Sequence, residues 1–184
     1  MYPSKPLKPQ AQKLFDQIRP KISQELSHVS EIPVSVLLWG PYPDDTHEVG
    51  RLRIDLRNEL REEGHLAMFG EEIVDFKLTA SLRVQQLVHA GQFDVVVSLP
   101  STPGAIGELH DFAHDWRVNT KLLVCLNKQL MDGYSNQSIS AVCSVLTFEA
   151  IYYDGYAELP IIKSEILNHI QRIREIKYIF KGRI

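Results

Sequence analysis

The chain has 184 residues, 44% of them hydrophobic and 23% charged, with a formal net charge of -3. This composition argues against wholesale disorder, and the length suits one domain with a full core. The charge argues against a nucleic-acid binder, because phosphate contacts usually require a basic excess. No apolar run approaches the roughly 18 residues that span a bilayer, so we expect a soluble, cytoplasmic protein.

The first 30 residues predict a helical extension. Apolar residues recur at spacings of three and four within residues 10–29, namely Leu14, Phe15, Ile18, Ile22 and Leu26. This is the pattern of an amphipathic helix, which we expect to pack on the domain. Pro20 interrupts the pattern and should kink or split the helix.

Residues 31–126 alternate between apolar runs and amphipathic helices. Strands are predicted at residues 34–39, 65–69, 93–99 and 120–126, and helices at 47–63, 78–92 and 104–116. Parallel strands need long return connections, and the returning helices cover the sheet. The sequence therefore predicts one α/β domain with a doubly wound, flavodoxin- or Rossmann-like parallel sheet flanked by helices.

The first of these helices is predicted to cover the sheet with one apolar face, and it should stop at Gly64. That face carries Val49, Leu52, Leu56 and Leu60, and the arginines are expected on its solvated faces, namely Arg51, Arg53, Arg57 and Arg61.

The pattern weakens in residues 127–184. Residues 127–143 are polar and predict a variable loop, and residues 149–156 predict a final short strand. Residues 160–181 predict a long helix with Ile162, Ile166, Ile170 and Ile173 in register. The two cysteines, Cys125 and Cys143, lie in apolar stretches without metal-ligand spacing, so we predict that both are reduced and buried.

Two loops should form the site, because ligands bind outside the carboxyl ends of parallel strands. Gly40, Pro41 and Tyr42 follow the first strand, and the second loop follows residues 93–99 with Ser101, Thr102, Pro103 and Gly104. If the two strands are neighbours, both loops line one pocket. The second loop precedes a helix N-terminus, which suits a phosphate or ribose oxygen.

Glu108 lies about one turn inside that helix, and its side chain tilts back toward the N-terminal end. A carboxylate beside a sugar C1′ stabilises an oxocarbenium ion or attacks it, as glycoside cleavage requires. The alternative is a surface carboxylate that the helix dipole favours.

The stretch "FDVVVSLPSTPGAIGELHDFA" resembles the strand, turn and helix with an internal glutamate of the nucleoside 2-deoxyribosyltransferase-like superfamily. That superfamily includes the TIR-like N-glycosidase effectors of bacterial anti-phage and retron systems. "VLLWGPY" resembles its first strand and Gly-Pro turn, and the likeness covers residues 33–126. Lysine-decarboxylase-like phosphoribohydrolases use a related Pro/Gly-rich turn followed by a glutamate.

The resemblance implies that Glu108 is the catalytic carboxylate. It also implies that one loop holds ribose or phosphate and the other borders the base, with Ser101, Thr102 and Gly104 in the first role and Gly40, Pro41 and Tyr42 in the second. Deoxyribosyltransferases carry an acid about where Thr102 stands, and this turn has none. Hydrolysis of a nucleotide or NAD N-glycosidic bond is therefore favoured over base exchange.

The resemblance implies no cofactor, with NAD or a nucleotide as the substrate, and a partner protein or ribonucleoprotein that restrains or activates a toxin-like effector. We expect a homo-oligomer that binds neither membrane nor duplex nucleic acid. The alternative function is a binding module that holds a nucleotide or nucleotide signal without turning it over and contacts a partner protein.

Several other residues have two interpretations. Asp44 and Asp45 would bind ribose hydroxyls or make an ordinary turn and N-cap. Tyr42 is a better candidate than Trp39 to stack on a base, since Trp39 ends an apolar strand. Arg51 would reach a phosphate or lie on the solvated face.

The remaining charged candidates differ in whether they follow or precede a predicted strand. Glu71 and Glu72 follow the second strand and either face the crevice or form a charged loop, whereas Asp94 precedes its strand and is assigned no catalytic role. His110 and His114 have metal-ligand spacing, but they lie about 200° around the helix from Glu108, so we predict surface histidines and no metal.

Overall fold

A computed structural model of the chain describes residues 6–44, 46–130, 139 and 141–180. Contacts divide the chain into two compact units. The smaller comprises the described parts of Met1–Ile32 and Arg174–Ile184, and the larger comprises those of Pro33–Ile173. In the described residues no helix has the length and apolar character needed to cross a membrane.

The smaller unit contains helix α1 (Pro9–Glu31), which runs through Pro20 without a break. Of the two outcomes predicted at Pro20, a kink or a split, the split is wrong: the ring removes one backbone donor, but the turns on either side continue. Within this unit Arg174 Nε donates to the Ile32 carbonyl at 3.2 Å, and the Tyr178 hydroxyl donates to Glu25 at 3.2 Å.

The larger unit contains a sheet of five parallel strands. In chain order they are β1 (Ser35–Trp39), β2 (Leu66–Phe69), β3 (Val95–Ser98), β4 (Leu122–Asn127) and β5 (Ile151–Tyr153). Their spatial order is β2-β1-β3-β4-β5, and each neighbouring pair is parallel. This is a doubly wound α/β fold with the flavodoxin-type strand order, as the sequence predicted.

The helices that accompany these strands include α2 (Glu48–Glu62), α3 (Gly70–Ile73), α4 (Leu82–Gln92), α5 (Pro103–Phe112), α6 (Trp116–Asn119) and α7 (Leu159–Ile179). Residues 139 and 141–143 are also helical. Two short 3-10 turns occupy Lys128–Leu130 and Tyr156–Glu158. Residues 131–138 and 140 of the predicted variable loop lie outside the described residues.

Two helices differ from their predicted bounds because polar side chains cap them. The Ser81 hydroxyl accepts from the Val84 amide, so α4 begins at Leu82 and residues 78–80 precede it. The helix predicted over residues 104–116 ends at Phe112, because the Asp115 carboxylate accepts from the Arg117 amide and starts α6. Side-chain capping therefore sets both boundaries.

The sheet is buried on both faces, which explains the continuous apolar runs of its strands. Val36 and Leu38 of β1 pack with Leu56 of α2 and Ile166 of α7 in one cluster. The other face carries Trp39, in a second cluster with α4 and α5 that includes Leu37, Ala90, Val96, Leu109 and Phe112. Both cysteines are free: Cys125 is buried in β4, and Cys143 is half-buried.

Leu56→Ala should lower the free energy of unfolding by about 2–5 kcal/mol, because it removes a fully buried side chain between α2 and the sheet. Leu66→Ala is the matched control, since Leu66 is 53% exposed on β2, and it should cost about 0.5 kcal/mol. Urea unfolding followed by circular dichroism measures both values. Equal losses in the two variants would contradict this description of the core.

Candidate active site

The two loops predicted to form the site leave the sheet from adjacent strands. β1 pairs with β3 so that Trp39 lies opposite Ser98, and the Leu99 amide donates to the Trp39 carbonyl at 3.0 Å. From β1 the chain moves outward to β2 and then returns to β3 on the other side. The carboxyl ends of β1 and β3 therefore form the topological switch point, where open α/β sheets bind ligands.

A cavity of about 260 Å³ opens beside the carboxyl ends of β1 and β2. Its lining comes from β1, from α2 to α5 and from the segment before α4: Trp39, Gly40, Arg53, Gly70, Glu71, Val74, Phe76, Leu82, Gln86 and Glu108. Glu108 and Gly40 are thus brought to one cavity, as predicted. Trp39, which was assigned to the core, belongs to both the core and this wall.

Five other predicted binding residues do not line this cavity, namely Pro41, Tyr42, Ser101, Thr102 and Gly104. A sixth, Asp45, lies outside the described residues. The Thr102 hydroxyl accepts from the Ala105 amide at 3.4 Å, so α5 is capped by its own chain. The expectation that the second loop itself lines the pocket therefore does not hold for this cavity, to which α5 contributes Glu108 instead.

Glu108 is half-buried on α5, with its side chain fixed by α4. Gln86 Nε2 donates to Glu108 Oε1 at 2.6 Å, and Oε2 accepts no hydrogen bond from the described residues. Burial raises the pKa of Glu108, and the charge of Glu71 adds to this; the Gln86 hydrogen bond and the Arg53 charge oppose it without cancelling it. This carboxylate is therefore oriented and poorly solvated, with one oxygen available.

Arg53 corrects one sequence prediction: it was expected on a solvated face of α2, but it is fully buried. Its Nη2 donates to the Leu38 carbonyl at 2.7 Å, and its Nη1 donates to the carbonyls of Gly40, at 3.2 Å, and Pro41. Both nitrogens also donate to Glu71, at 3.1 and 3.0 Å. The guanidinium thus joins the end of β1, the loop after it and α3.

The two glutamates that follow β2 have different partners. Glu71 lines the cavity and pairs with Arg53. Glu72 pairs with Arg57 at 3.1 Å and Arg61 at 3.3 Å, away from the cavity lining. Burial raises the pKa of Glu72, but the Phe69 amide and the two arginines outweigh it and hold that pKa below its usual range.

Two buried donors in the cavity wall are unsatisfied. Trp39 Nε1 and Arg53 Nε have no hydrogen-bond partner among the described residues, although both side chains are buried. Leaving such buried donors unpaired costs folding free energy. The wall therefore combines two carboxylates with unsatisfied donors and apolar side chains.

Gly40 is needed for this arrangement. Its φ is +154°, and a Cβ on it would lie 3.0 Å from Arg53 Cδ and 3.1 Å from the Leu99 carbonyl oxygen. A side chain at this position would displace the buried arginine or the start of the second loop. The Gly-Pro turn therefore admits the guanidinium rather than only ending a strand.

Two aspartates have structural roles. Asp44 Oδ1 accepts from the Thr46 amide and hydroxyl and from the His47 amide, which is the turn interpretation, and the Thr46 hydroxyl lowers the pKa of Asp44. Asp94 accepts from the Ser35 amide and hydroxyl at 2.7 and 2.9 Å. It ties β3 to β1 at the amino edge, so its predicted place away from the crevice is confirmed.

The remaining candidates lie outside the cavity lining. Tyr42 is 70% exposed, Arg51 is exposed, and neither lines the cavity; the same holds for His110 and His114. Among the residues that the structure describes, no cluster of three or more His, Cys, Asp or Glu side chains is arranged to hold a metal ion.

Sequence reasoning did not assign Arg53 or Gln86 to the site. Arg53 follows Val49 by four residues and precedes Leu56 by three, so helical spacing places it on the buried face of α2. That spacing was a usable signal for a buried arginine. Gln86 offered none, since its contact with Glu108 spans 22 residues and joins two different helices.

No protein-family model matches the chain, and a search of curated proteins found none that matches it. The family resemblance therefore remains an expectation drawn from the residues that carry it.

Arg53→Met should lower the free energy of unfolding by about 3–5 kcal/mol, because three carbonyls lose their donor inside the protein and the half-exposed Glu71 loses its ion-pair partner. Arg83→Met is the control, since Arg83 is 65% exposed in its pair with Asp111, and such a pair contributes about 0–1 kcal/mol. Urea unfolding compares the two. An Arg53→Met protein as stable as the parent would contradict an organising role for the guanidinium.

Proposed function

We propose that the protein is an N-glycosidase that hydrolyses the base–ribose bond of a NAD-type dinucleotide or a nucleotide, with Glu108 as the catalytic carboxylate. The observation that carries this proposal is the placement of Glu108: half-buried, fixed through Oε1 by Gln86, and facing a cavity beside the switch point. Glycoside cleavage uses a carboxylate in such a position to stabilise positive charge at C1′.

In the proposed reaction the C1′–N bond breaks and its electron pair passes to the base. The negative charge of Glu108 stabilises the oxocarbenium ion that forms at C1′. Water then adds its oxygen to C1′ and releases a proton, so that the products are the free base and the ribose derivative. Preorganised charge in a partly buried site is more effective than charge in water, because it needs no reorganisation.

The second carboxylate favours a NAD-type substrate over a neutral nucleoside. Both oxygens of Glu71 accept from Arg53, so Glu71 is not placed to donate a proton to a leaving base. A nicotinamide ring is cationic in the dinucleotide and becomes neutral when it takes the electron pair, so it needs no proton donor. A neutral base is a poorer leaving group without one.

The size and lining of the cavity suit one end of such a molecule. Its 260 Å³ is slightly below the range of about 300–1,000 Å³ usual for drug-sized ligands. Trp39 and Phe76 supply aromatic surface, and Phe76 is 88% exposed. A ring and its sugar fill such a space, and the rest of a dinucleotide would extend into solvent.

A defence role rests on the resemblance alone: an N-glycosidase effector would deplete a nucleotide pool during infection. NAD measured in infected cells that express the parent or Glu108→Gln tests this role. The proposal requires depletion with the parent only, and equal NAD levels in the two cultures would remove the defence role.

Glu108→Gln should lower the rate of base release at least about 100-fold, because it removes the charge while keeping the size of the side chain. Asp111→Asn is the matched control on the same helix, 48% exposed, and it should change the rate less than about twofold. The assay follows nicotinamide release from NAD and base release from a nucleotide panel, with thermal melting to confirm equal folding.

Two results would contradict this assignment. Activity that survives Glu108→Gln nearly unchanged would make Glu108 a helix-surface residue. A nucleotide or dinucleotide that binds the parent and is recovered intact after long incubation would instead support the alternative, a non-catalytic binding module.

The pH dependence provides a separate test of the pair of carboxylates. Activity should rise with pH as Glu108 ionises, with its midpoint above that of an ordinary glutamate, because burial and the Glu71 charge raise its pKa. Glu71→Gln should move this midpoint to lower pH, since it removes the charge that raises the pKa and frees Arg53 from its pairing.

Glu72→Gln is the matched control, because Glu72 is adjacent in sequence but pairs with Arg57 and Arg61 outside the cavity lining. Its profile of kcat/KM against pH should superimpose on that of the parent. A midpoint that stays fixed or rises in Glu71→Gln would show that the two carboxylates do not interact as proposed.

A further inference from the structure

Helix α1 presents an apolar face that its own unit leaves exposed. Leu14, Phe15, Ile18, Ile22 and Leu26 are each 42–65% exposed, and no residue of α1, which lies wholly within the described range 6–44, is buried. A helix of this kind gains most of its stability by packing its apolar face. A contiguous exposed apolar patch on a folded protein marks an interaction surface.

We propose that this face binds a second copy of the chain, with the two α1 helices paired antiparallel about a two-fold axis near Pro20. Pro20 is the middle residue of Pro9–Glu31. An axis there sets Ile18 opposite the partner's Ile22 and Leu14 opposite the partner's Leu26. Large apolar side chains thus meet along one self-complementary seam, as a two-fold interface requires.

The charge distribution along α1 selects the antiparallel orientation. Residues 8–21 carry Lys8, Lys13, Arg19 and Lys21 with a single acid, Asp16, whereas residues 22–31 carry Glu25 and Glu31 and no lysine or arginine. Antiparallel helices place the basic part of each copy against the acidic part of the other, and their dipoles oppose each other. Parallel helices would place like charges together.

Pro20 does not obstruct this interface. At 100° per residue it lies about 160° around the helix from both Ile18 and Ile22, so its ring and the carbonyl that loses a partner face away from the seam.

The mass of the full-length protein in solution, measured by sedimentation over a range of concentrations, tests the proposal. The parent should be a dimer. Ile18→Glu with Ile22→Glu should raise the dissociation constant at least about 100-fold, because four charges enter an apolar seam. Gln17→Glu with Gln24→Glu adds the same charges on the opposite side of α1 and should leave the dimer intact.

Charge reversal tests whether opposite charges guide the pairing of the two α1 helices. Lys8→Glu with Lys13→Glu in one chain and Glu31→Lys in another should each weaken self-association about tenfold at low salt. Mixed, the two variants should form a heterodimer, since residues 8–31 then carry a net negative charge in one chain and a net positive charge in the other. Equal self-association of each variant and of the mixture would overturn the electrostatic argument.

Cysteine cross-linking tests the orientation. In a chain with Leu14→Cys and Leu26→Cys, oxidation should join position 14 of one copy to position 26 of its partner, as peptide mapping will show. Cross-links between two positions 14 would overturn the antiparallel arrangement. A parent that stays monomeric, or a dimer that the two glutamates at positions 18 and 22 do not weaken, would overturn the proposal as a whole.

Discussion

The site depends on one buried guanidinium. A charged group inside a protein is costly unless its charge and its donors are both satisfied. Arg53 largely meets this condition: its two terminal nitrogens donate to the Leu38, Gly40 and Pro41 carbonyls and to both oxygens of Glu71, and its Nε has no partner among the described residues. The guanidinium lies 4.8 Å from the centre of the Phe69 ring. The conformation of the loop after β1 and the position of α3 therefore depend on each other through one side chain.

That interaction also distributes the charge in the cavity. Arg53 forms its two-point pair with Glu71, so Glu108 receives only a weak opposing influence from it and keeps a raised pKa. Gln86 then orients Glu108 without neutralising it, since an amide N–H donates a hydrogen bond but carries no charge. One carboxylate is paired and structural, and the other is oriented and poorly solvated. Such a division suits a group that must stabilise positive charge on a substrate.

The two compact units differ in the features that they carry. The larger one buries a parallel sheet between helices and forms the cavity from its own elements. The smaller one has a helix whose apolar face is exposed and whose charges change sign along its length. The proposed chemistry and the proposed self-association would then use separate residues. A substitution in one unit can therefore be tested for its effect on one property without changing the residues that serve the other.

Local patterns determined most of the fold. Continuous apolar runs identified β1, β3 and β4, and spacing of three and four identified α2 and the buried isoleucines of α7. These signals are local in the chain, because a buried strand or a helix face is recorded in the residues of that element itself. The same signals placed Gly40 and Glu108 at the carboxyl edge of the sheet. They wrongly allowed a split at Pro20, because one missing hydrogen bond does not end a helix whose neighbouring turns are intact.

What only the tertiary structure decided is which side chains meet across elements. The Gln86 contact with Glu108 and the pairing of Arg53 with Glu71 join residues 22 and 18 positions apart, on different helices. No periodicity within one element encodes such contacts, since they depend on how two helices are placed against one sheet. The sequence alone therefore determined where a site should lie, and the packing of α2, α4 and α5 determined which residues form it and how Glu108 is charged there.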